Sequence, residues 1–89
     1  MGINAVFGAL SHPVRRKILQ LLRKGPLSAG ELAAHFEISK PTLSVHFAKL
    51  REAGLVSVER QGTSLIYHLN MSILEGALSG FLAFREQKE

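Results

Sequence analysis

The stretch of sequence that decides the fold is SAGELAAHFEISKPTLSVHFAKLREAGLVSV, residues 28–58. At its start, Ser28 and Glu31 form the S-x-x-E pattern of a capping box, which predicts a short helix reaching about Phe36. Only a tight turn fits between this helix and the next one, which Ser39 caps. Two helices joined by so short a turn predict a helix-turn-helix.

The second helix of this pair has Pro41 in its first turn and runs to Ala53, where Gly54 ends it. Beyond it, the period of the apolar residues changes from about 3.6 to 2, and a turn over residues 60–64 with Gly62 at its centre divides the alternating segment. This pattern predicts a β-hairpin. The alternating residues are Val56 and Val58, then Leu65, Tyr67 and Leu69.

Three further helices flank this central segment. Ile3 to Leu10 have helical spacing, and a second helix capped by Ser11 runs to about Lys24, where Gly25-Pro26 stops it. A final helix is capped by Asn70 or Ser72. Residues 1–89 therefore form one mainly α domain with a small β-hairpin, in the order α-α-α-α-β-β-α: a winged helix-turn-helix.

The composition narrows the possible functions. Of the 89 residues, 46% are apolar, more than so small a core can bury, which predicts a homodimer. Residues 1–54 carry 8 basic and 3 acidic side chains, which favours a polyanion as partner.

The absence of Cys and Asp excludes disulfides, thiol sensing, Cys-ligated zinc and Asp-based catalysis. No apolar run is long enough to span a membrane and no signal peptide is predicted, so we expect a cytoplasmic protein.

The outward face of the second helix of the pair favours double-stranded DNA. Its apolar stripe is Leu43, Phe47 and Leu50, and the residues assigned to the outward face are Lys40, Thr42, Ser44, Val45, His46 and Lys49. Short polar and basic side chains let a helix enter the major groove, where its N-terminal part contacts bases. Ser39 and Lys49 are expected to contact phosphates. The alternative is a solvated face, but such a face normally pairs Glu with Lys, and this one has no acid before Glu52.

Other polar residues leave alternatives open. At the hairpin tip, Arg60, Gln61 and Thr63 are candidates for phosphate or minor-groove contacts, or form an ordinary polar loop. Arg15 and Arg16 either contact flanking phosphate or form internal contacts. The four His residues lack the spacing of metal ligands, so we predict no metal site and no cofactor.

The terminal helices have apolar residues in excess of what one small core covers. These are Ile3, Val6, Phe7 and Leu10 in the first helix and Leu74, Leu78, Phe81 and Leu82 in the last. We predict that both helices form a two-fold dimer interface; packing of the two on each other within one chain is the alternative.

Three segments together resemble the ArsR family of bacterial repressors: LSHPVRRKILQLL, LSAGELAAHFEISKPTLSVHFAKLREAGLV and VERQGTSLIYHL. The resemblance covers residues 3–82 and, by shortness and lack of Cys, is greatest to the SdpR-like autorepressors. It implies a dimeric repressor of a palindromic operator, located at the nucleoid when bound to DNA. It also implies that a membrane protein sequesters the repressor.

Two other classes of function compete with repression. One is a winged-helix module that binds protein and not DNA, which would need no basic face. The other is an enzyme, which is not expected because no nucleophile–base pair, paired carboxylates or phosphate loop appears, and no small-molecule substrate is predicted.

Overall fold

The computed structural model describes residues 3–84, with side chains for residues 4–83. Within these residues, five helices and three strands follow one another. They are α1 (Ile3–Leu10), α2 (Pro13–Leu22), β1 (Leu27–Ser28), α3 (Ala29–Ala33), α4 (Lys40–Glu52), β2 (Val56–Gln61), β3 (Ser64–Leu69) and α5 (Met71–Phe84). The chain is thus mostly helical with a small antiparallel wing, and the winged helix-turn-helix prediction is confirmed.

The capping signals of the helix-turn-helix are realised. Ser28 Oγ accepts from the Glu31 N–H at 3.0 Å, and the Glu31 carboxylate accepts from the Ser28 N–H at 2.8 Å. Ser39 caps α4 as predicted, and Gly54 with φ 78° follows its last turn. The cap of α2 differs from the prediction: it is His12 and not Ser11. The helix begins at Pro13, and His12 Nδ1 accepts from the Val14 N–H at 3.1 Å.

The wing contains a strand that the sequence did not indicate. β1 pairs with β3 through Leu27↔Tyr67 and Ser28↔Ile66, so the sheet has the antiparallel order β1-β3-β2. Two residues are too few to produce an alternating pattern, and the pairing joins segments about 40 residues apart, so local sequence could not reveal it. The hairpin turn is also tighter than predicted, since Gln61 pairs with Ser64 and leaves only two residues between the strands.

Other element boundaries differ by a few residues. α2 ends at Leu22 and not near Lys24, and α3 ends at Ala33, after which turn-type hydrogen bonds continue to Phe36. α5 begins at Met71, so Asn70 precedes it and Ser72 lies within it. These shifts leave the order of the helices and of the hairpin as predicted.

The core lies between the helices and the inner face of the sheet. Its largest fully buried side chains are Ile18, Leu32, Leu50 and Leu55. Phe47 of α4 stacks on Tyr67 of β3 with ring centroids 4.6 Å apart, which fixes the helix against the wing. Val6 is also buried, at 2% exposed, so its assignment to a dimer interface is wrong: it packs in the core of its own chain.

Candidate nucleic-acid interface

The N-terminal end of α4 is ordered by its own cap. Ser39 Oγ accepts from the Thr42 N–H at 3.3 Å and donates to Thr42 Oγ1 at 2.9 Å. The first turn of α4 contains no acidic residue, whereas its last turn carries Lys49 and Arg51. The positive end of the helix dipole is therefore not neutralised by a carboxylate of its first turn, which favours the approach of an anion such as phosphate.

One face of α4 is exposed and carries the predicted polar and basic residues. We call this the recognition face; it consists of Lys40, Thr42, Ser44, Val45 and Lys49, all exposed as predicted. Val45 is 56% exposed and is the one apolar side chain of the recognition face. A mixture of small hydroxyls, lysines and one apolar side chain matches the hydrogen-bonding edges and thymine methyl groups of the major groove.

His46 does not belong to the recognition face, and its assignment to the major groove is wrong. Its side chain is buried, at 7% exposed, together with Leu43, Phe47 and Leu50. Position 46 follows Leu43 by three residues and precedes Leu50 by four, which places it on the buried stripe of a helix. The helical spacing could have identified this orientation, but the polar residue type suggested the opposite.

Buried His46 is held by a side chain from α2. Arg15 Nη1 lies 3.0 Å from His46 Nδ1, and the rings of His12 and His46 have centroids 4.4 Å apart. The pKa of His46 lies below its usual 6.5, chiefly because the side chain is buried and also because His12 and Arg15 are nearby. His46 is therefore uncharged at neutral pH.

The basic residues of α2 turn mostly toward the protein. Arg15 donates to the carbonyls of Ala9 (2.8 Å) and Gly8 (3.2 Å), and Arg16 donates to that of Leu10 (2.7 Å). These carbonyls lie in the last turn of α1, where backbone acceptors lack helical partners. Of the two alternatives for Arg15 and Arg16, the structure thus displays the internal contacts.

The wing tip is exposed and compact. Arg60 and Gln61 end β2, and Gly62 with φ 63° and Thr63 form the turn. All four residues are exposed, so the tip can reach a surface that the protein lies on.

None of the described residues forms a cluster of three or more metal-ligating side chains. His12 and His46 lie close together, but each already uses its Nδ1 in a hydrogen bond to another residue of the chain. His68 in the wing pairs with Glu59 at 3.0 Å.

α5 presents an apolar patch to solvent. We call it the α5 patch; its residues are Leu78, Phe81 and Leu82, which are 40%, 58% and 53% exposed. The ring of Phe7 in α1 packs edge-on against that of Phe81, with centroids 5.5 Å apart. The two terminal helices therefore also pack on each other within the chain. Leu10 and Leu74 are half-buried against the core, while the side chain of Ile3 lies outside the described residues. None of the described helices has the length and apolar character needed to cross a membrane.

A winged helix-turn-helix with an exposed polar and basic recognition face defines a class of DNA-binding regulators. The family model described as "Bacterial regulatory protein, arsR family" matches residues 12–58. The transcriptional repressor SdpR of Bacillus subtilis is 44% identical over 82 residues, which cover 92% of this chain and 91% of that protein. This chain belongs to the ArsR family of DNA-binding transcriptional repressors, and it is not an enzyme.

Solved structures agree with this family membership. The crystal structure of an ArsR family transcriptional regulator superposes with a TM-score of 0.86 at 29% identity, over 93% of this chain and 84% of that one. The transcriptional repressor BigR of Xylella fastidiosa gives a TM-score of 0.72 at 31% identity, over 92% of this chain and 85% of that one.

Proposed function

We propose that this chain represses transcription as a homodimer that places the recognition face of α4 in the major groove of a palindromic promoter operator. The observation that carries the proposal is the chemistry of that face. Its five residues are exposed and include two lysines, two hydroxyls and no acid. Occupation of a promoter by such a dimer blocks access of the polymerase.

The residues of the recognition face divide into two roles. Lys40, Thr42, Ser44 and Val45 lie in the N-terminal half of α4 and read base edges, with Val45 against a thymine methyl. Ser39 with the helix N-terminus and Lys49 bind backbone phosphates, which set the position of α4 but carry no sequence information.

The wing extends the contact beyond the major groove. Arg60, Gln61 and Thr63 at its exposed tip contact phosphate or the adjacent minor groove. This contact adds affinity outside the bases that α4 reads.

The α5 patch, with Phe7, Leu10 and Leu74 beside it, forms the two-fold interface. Three large apolar side chains, each 40% or more exposed on one helix, favour a second apolar surface over water. An isologous pair of chains places two recognition helices about 34 Å apart, which is one turn of DNA. The operator is then two half-sites related by two-fold symmetry.

Selection from a random duplex library tests this proposal. The protein is incubated with the library, and bound duplexes are amplified and sequenced over several rounds. We expect a two-fold symmetric motif whose half-sites are centred about 10–10.5 base pairs apart. Enrichment of a single asymmetric site would contradict the dimer, and no enrichment would favour a winged-helix module that binds protein.

We propose further that the inducing signal is neither a metal ion nor a thiol modification. The sequence contains no Cys, and the described residues contain no metal-ligating cluster. In keeping with the resemblance to SdpR-like autorepressors, repression is relieved when a membrane protein sequesters the repressor. Cell fractionation tests this: the repressor should move to the membrane fraction under inducing conditions, and a repressor that stays soluble during induction would contradict it.

A further inference from the structure

We propose that Arg15 is a positioning residue for DNA recognition, whose guanidinium holds His46, and with it α4, at a fixed place against the C-terminal end of α1. The inference rests on the proposed function, since it concerns how the recognition face is oriented. Arg15 itself touches no base in this scheme. It acts through His46.

Arg15 joins three acceptors that belong to two helices. Nε donates to the Ala9 carbonyl at 2.8 Å, Nη2 to the Gly8 carbonyl at 3.2 Å, and Nη1 lies 3.0 Å from His46 Nδ1. The guanidinium is planar and its donors have fixed directions, so three simultaneous hydrogen bonds leave it little freedom. The last turn of α1 thereby becomes a fixed support for a residue of α4.

The direction of the Arg15–His46 bond fixes the protonation of His46. A guanidinium can only donate, so Nδ1 of His46 must be the acceptor, and an uncharged imidazole then carries its proton on Nε2. The lowered pKa of His46 agrees with this form. The bond therefore exists only while His46 is uncharged.

The Arg15–His46 hydrogen bond depends on direction, unlike the other contacts that hold the buried stripe of α4. Leu43, Phe47 and Leu50 are held by apolar packing, which is non-directional. A hydrogen bond weakens when its angle or length changes, so it resists rotation of α4 about its own axis. Val45 is the residue directly before His46, so any such rotation displaces the recognition face. Binding sites must hold their groups within about 0.5 Å to be effective.

The same support connects α4 to the helices that form the proposed dimer interface. α1 packs on α4 and also on α5, where Phe7 contacts Phe81. Arg15 thus links the terminal helices, which set the spacing between the two protomers, with the helix that reads DNA.

Acidification should break the link. Around His46, α2 contributes His12 and Arg15, α1 contributes carbonyls and no charged side chain, and Lys49 and Glu52 of α4 line the groove beside Arg15. A proton on Nδ1 removes the acceptor and places a second cation against the guanidinium. Because the folded-state pKa lies below 6.5, the bond is intact above pH 6.5 and is lost as the pH falls through the lowered value.

The first test compares Arg15→Gln with Arg16→Gln on the duplex enriched by the selection and on a scrambled duplex. Arg16 is the matched control, because it has the same charge and also donates to the C-terminal end of α1, at the Leu10 carbonyl, whereas Arg15 alone of the two bonds to His46 of α4. We expect Arg15→Gln to lower the preference for the selected duplex about tenfold, the size expected for one lost hydrogen bond to a charged group. Arg16→Gln should weaken binding to both duplexes equally.

The second test follows the same preference between pH 7.5 and pH 5.5. It uses a His12→Asn background, because Asn retains an N-cap acceptor and does not titrate. In this background the preference for the selected duplex should decrease as the pH is lowered from 7.5 to 5.5. In His12→Asn/His46→Asn it should stay constant, because the Asn amide oxygen can accept from Arg15 in place of Nδ1 and cannot be protonated.

The outcomes separate the two proposals. If the wild type has no preference for the selected duplex, the proposed function fails. If the wild type has the preference but Arg15→Gln and Arg16→Gln behave alike, or if the pH dependence persists without His46, only the positioning role fails. Circular dichroism checks folding; if Arg15→Gln is unfolded, Arg15→Lys replaces it, since Lys keeps the charge but cannot reach three acceptors in one plane.

Discussion

The helices α4 and α5 each leave one face exposed, but the two faces have opposite chemistry. That of α4 carries lysines and hydroxyls around one valine, whereas the α5 patch consists of Leu78, Phe81 and Leu82. A basic polar face remains hydrated until a polyanion displaces its counterions, whereas an apolar face is more stable when another apolar surface covers it. The difference supports the proposal that α5 makes a lasting contact with a second copy of the chain and that α4 makes a reversible contact with DNA.

The largest effect is expected from a charge in the α5 patch. Phe81→Glu should dissociate the dimer and lower operator affinity by roughly 10²–10⁴-fold, because each half-site then binds without the avidity of the pair. Light scattering gives the mass, and fluorescence anisotropy gives the affinity. Ser79→Glu is the matched control, with the same charge on an exposed residue of α5 outside the patch. An unchanged dimer mass for Phe81→Glu would rule out this interface.

A smaller and more selective loss is expected in the N-terminal half of α4. Thr42→Ala should cost about 1–3 kcal/mol per half-site on the operator and little on random DNA, because the lost hydroxyl reads a base. Thr42→Ser retains the hydroxyl and should lose much less. Competition titrations with the two duplexes measure the difference. Equal weakening on both would show that Thr42 does not contribute to specificity.

A lysine further along the same face should behave differently from Thr42. Lys49→Ala should weaken binding to operator and random DNA alike and reduce the slope of log K against log salt by about 0.9 per lost phosphate contact. Lys49→Arg keeps the charge and should keep the slope. If Lys49→Ala instead changed the preference between sequences, the division of α4 into base and phosphate contacts would be wrong.

The smallest effect is expected from a charge that belongs to neither face. Glu59 and His68 pair across the wing with side chains 55% and 38% exposed, so solvent screens their attraction. Glu59→Gln should change the free energy of unfolding by no more than about 0.5 kcal/mol. Urea titration at neutral pH measures this value. A loss above 2 kcal/mol would mean that the pair supports the wing more than its exposure suggests.

What could be predicted from the sequence depended on local signals. The caps at Ser28 and Ser39, the stop at Gly54 and the change of period after it act within a few residues, and the structure confirms each of them. Gly62 likewise marked the hairpin turn, although the turn proved shorter. Element order followed from these signals because each one fixes where a helix or strand begins or ends.

What could not be predicted depended on contacts between distant residues. β1 exists only through its pairing with β3, and Arg15 meets His46 across 31 positions of sequence. At position 46 the polar residue type suggests an exposed side chain, whereas the helical spacing correctly indicates a buried one. The sequence shows how much apolar surface there is, but not which residues, such as Val6, the core of one chain already covers.

Specific DNA binding through the recognition face is tested most directly by one titration. The purified protein is titrated by fluorescence anisotropy into duplex DNA from upstream of its own gene, with a scrambled duplex alongside, at two salt concentrations. We expect a preference of roughly 10³-fold or more for the upstream duplex, as for a repressor that regulates its own gene. Absence of binding to either duplex at both salt concentrations would contradict DNA recognition by α4.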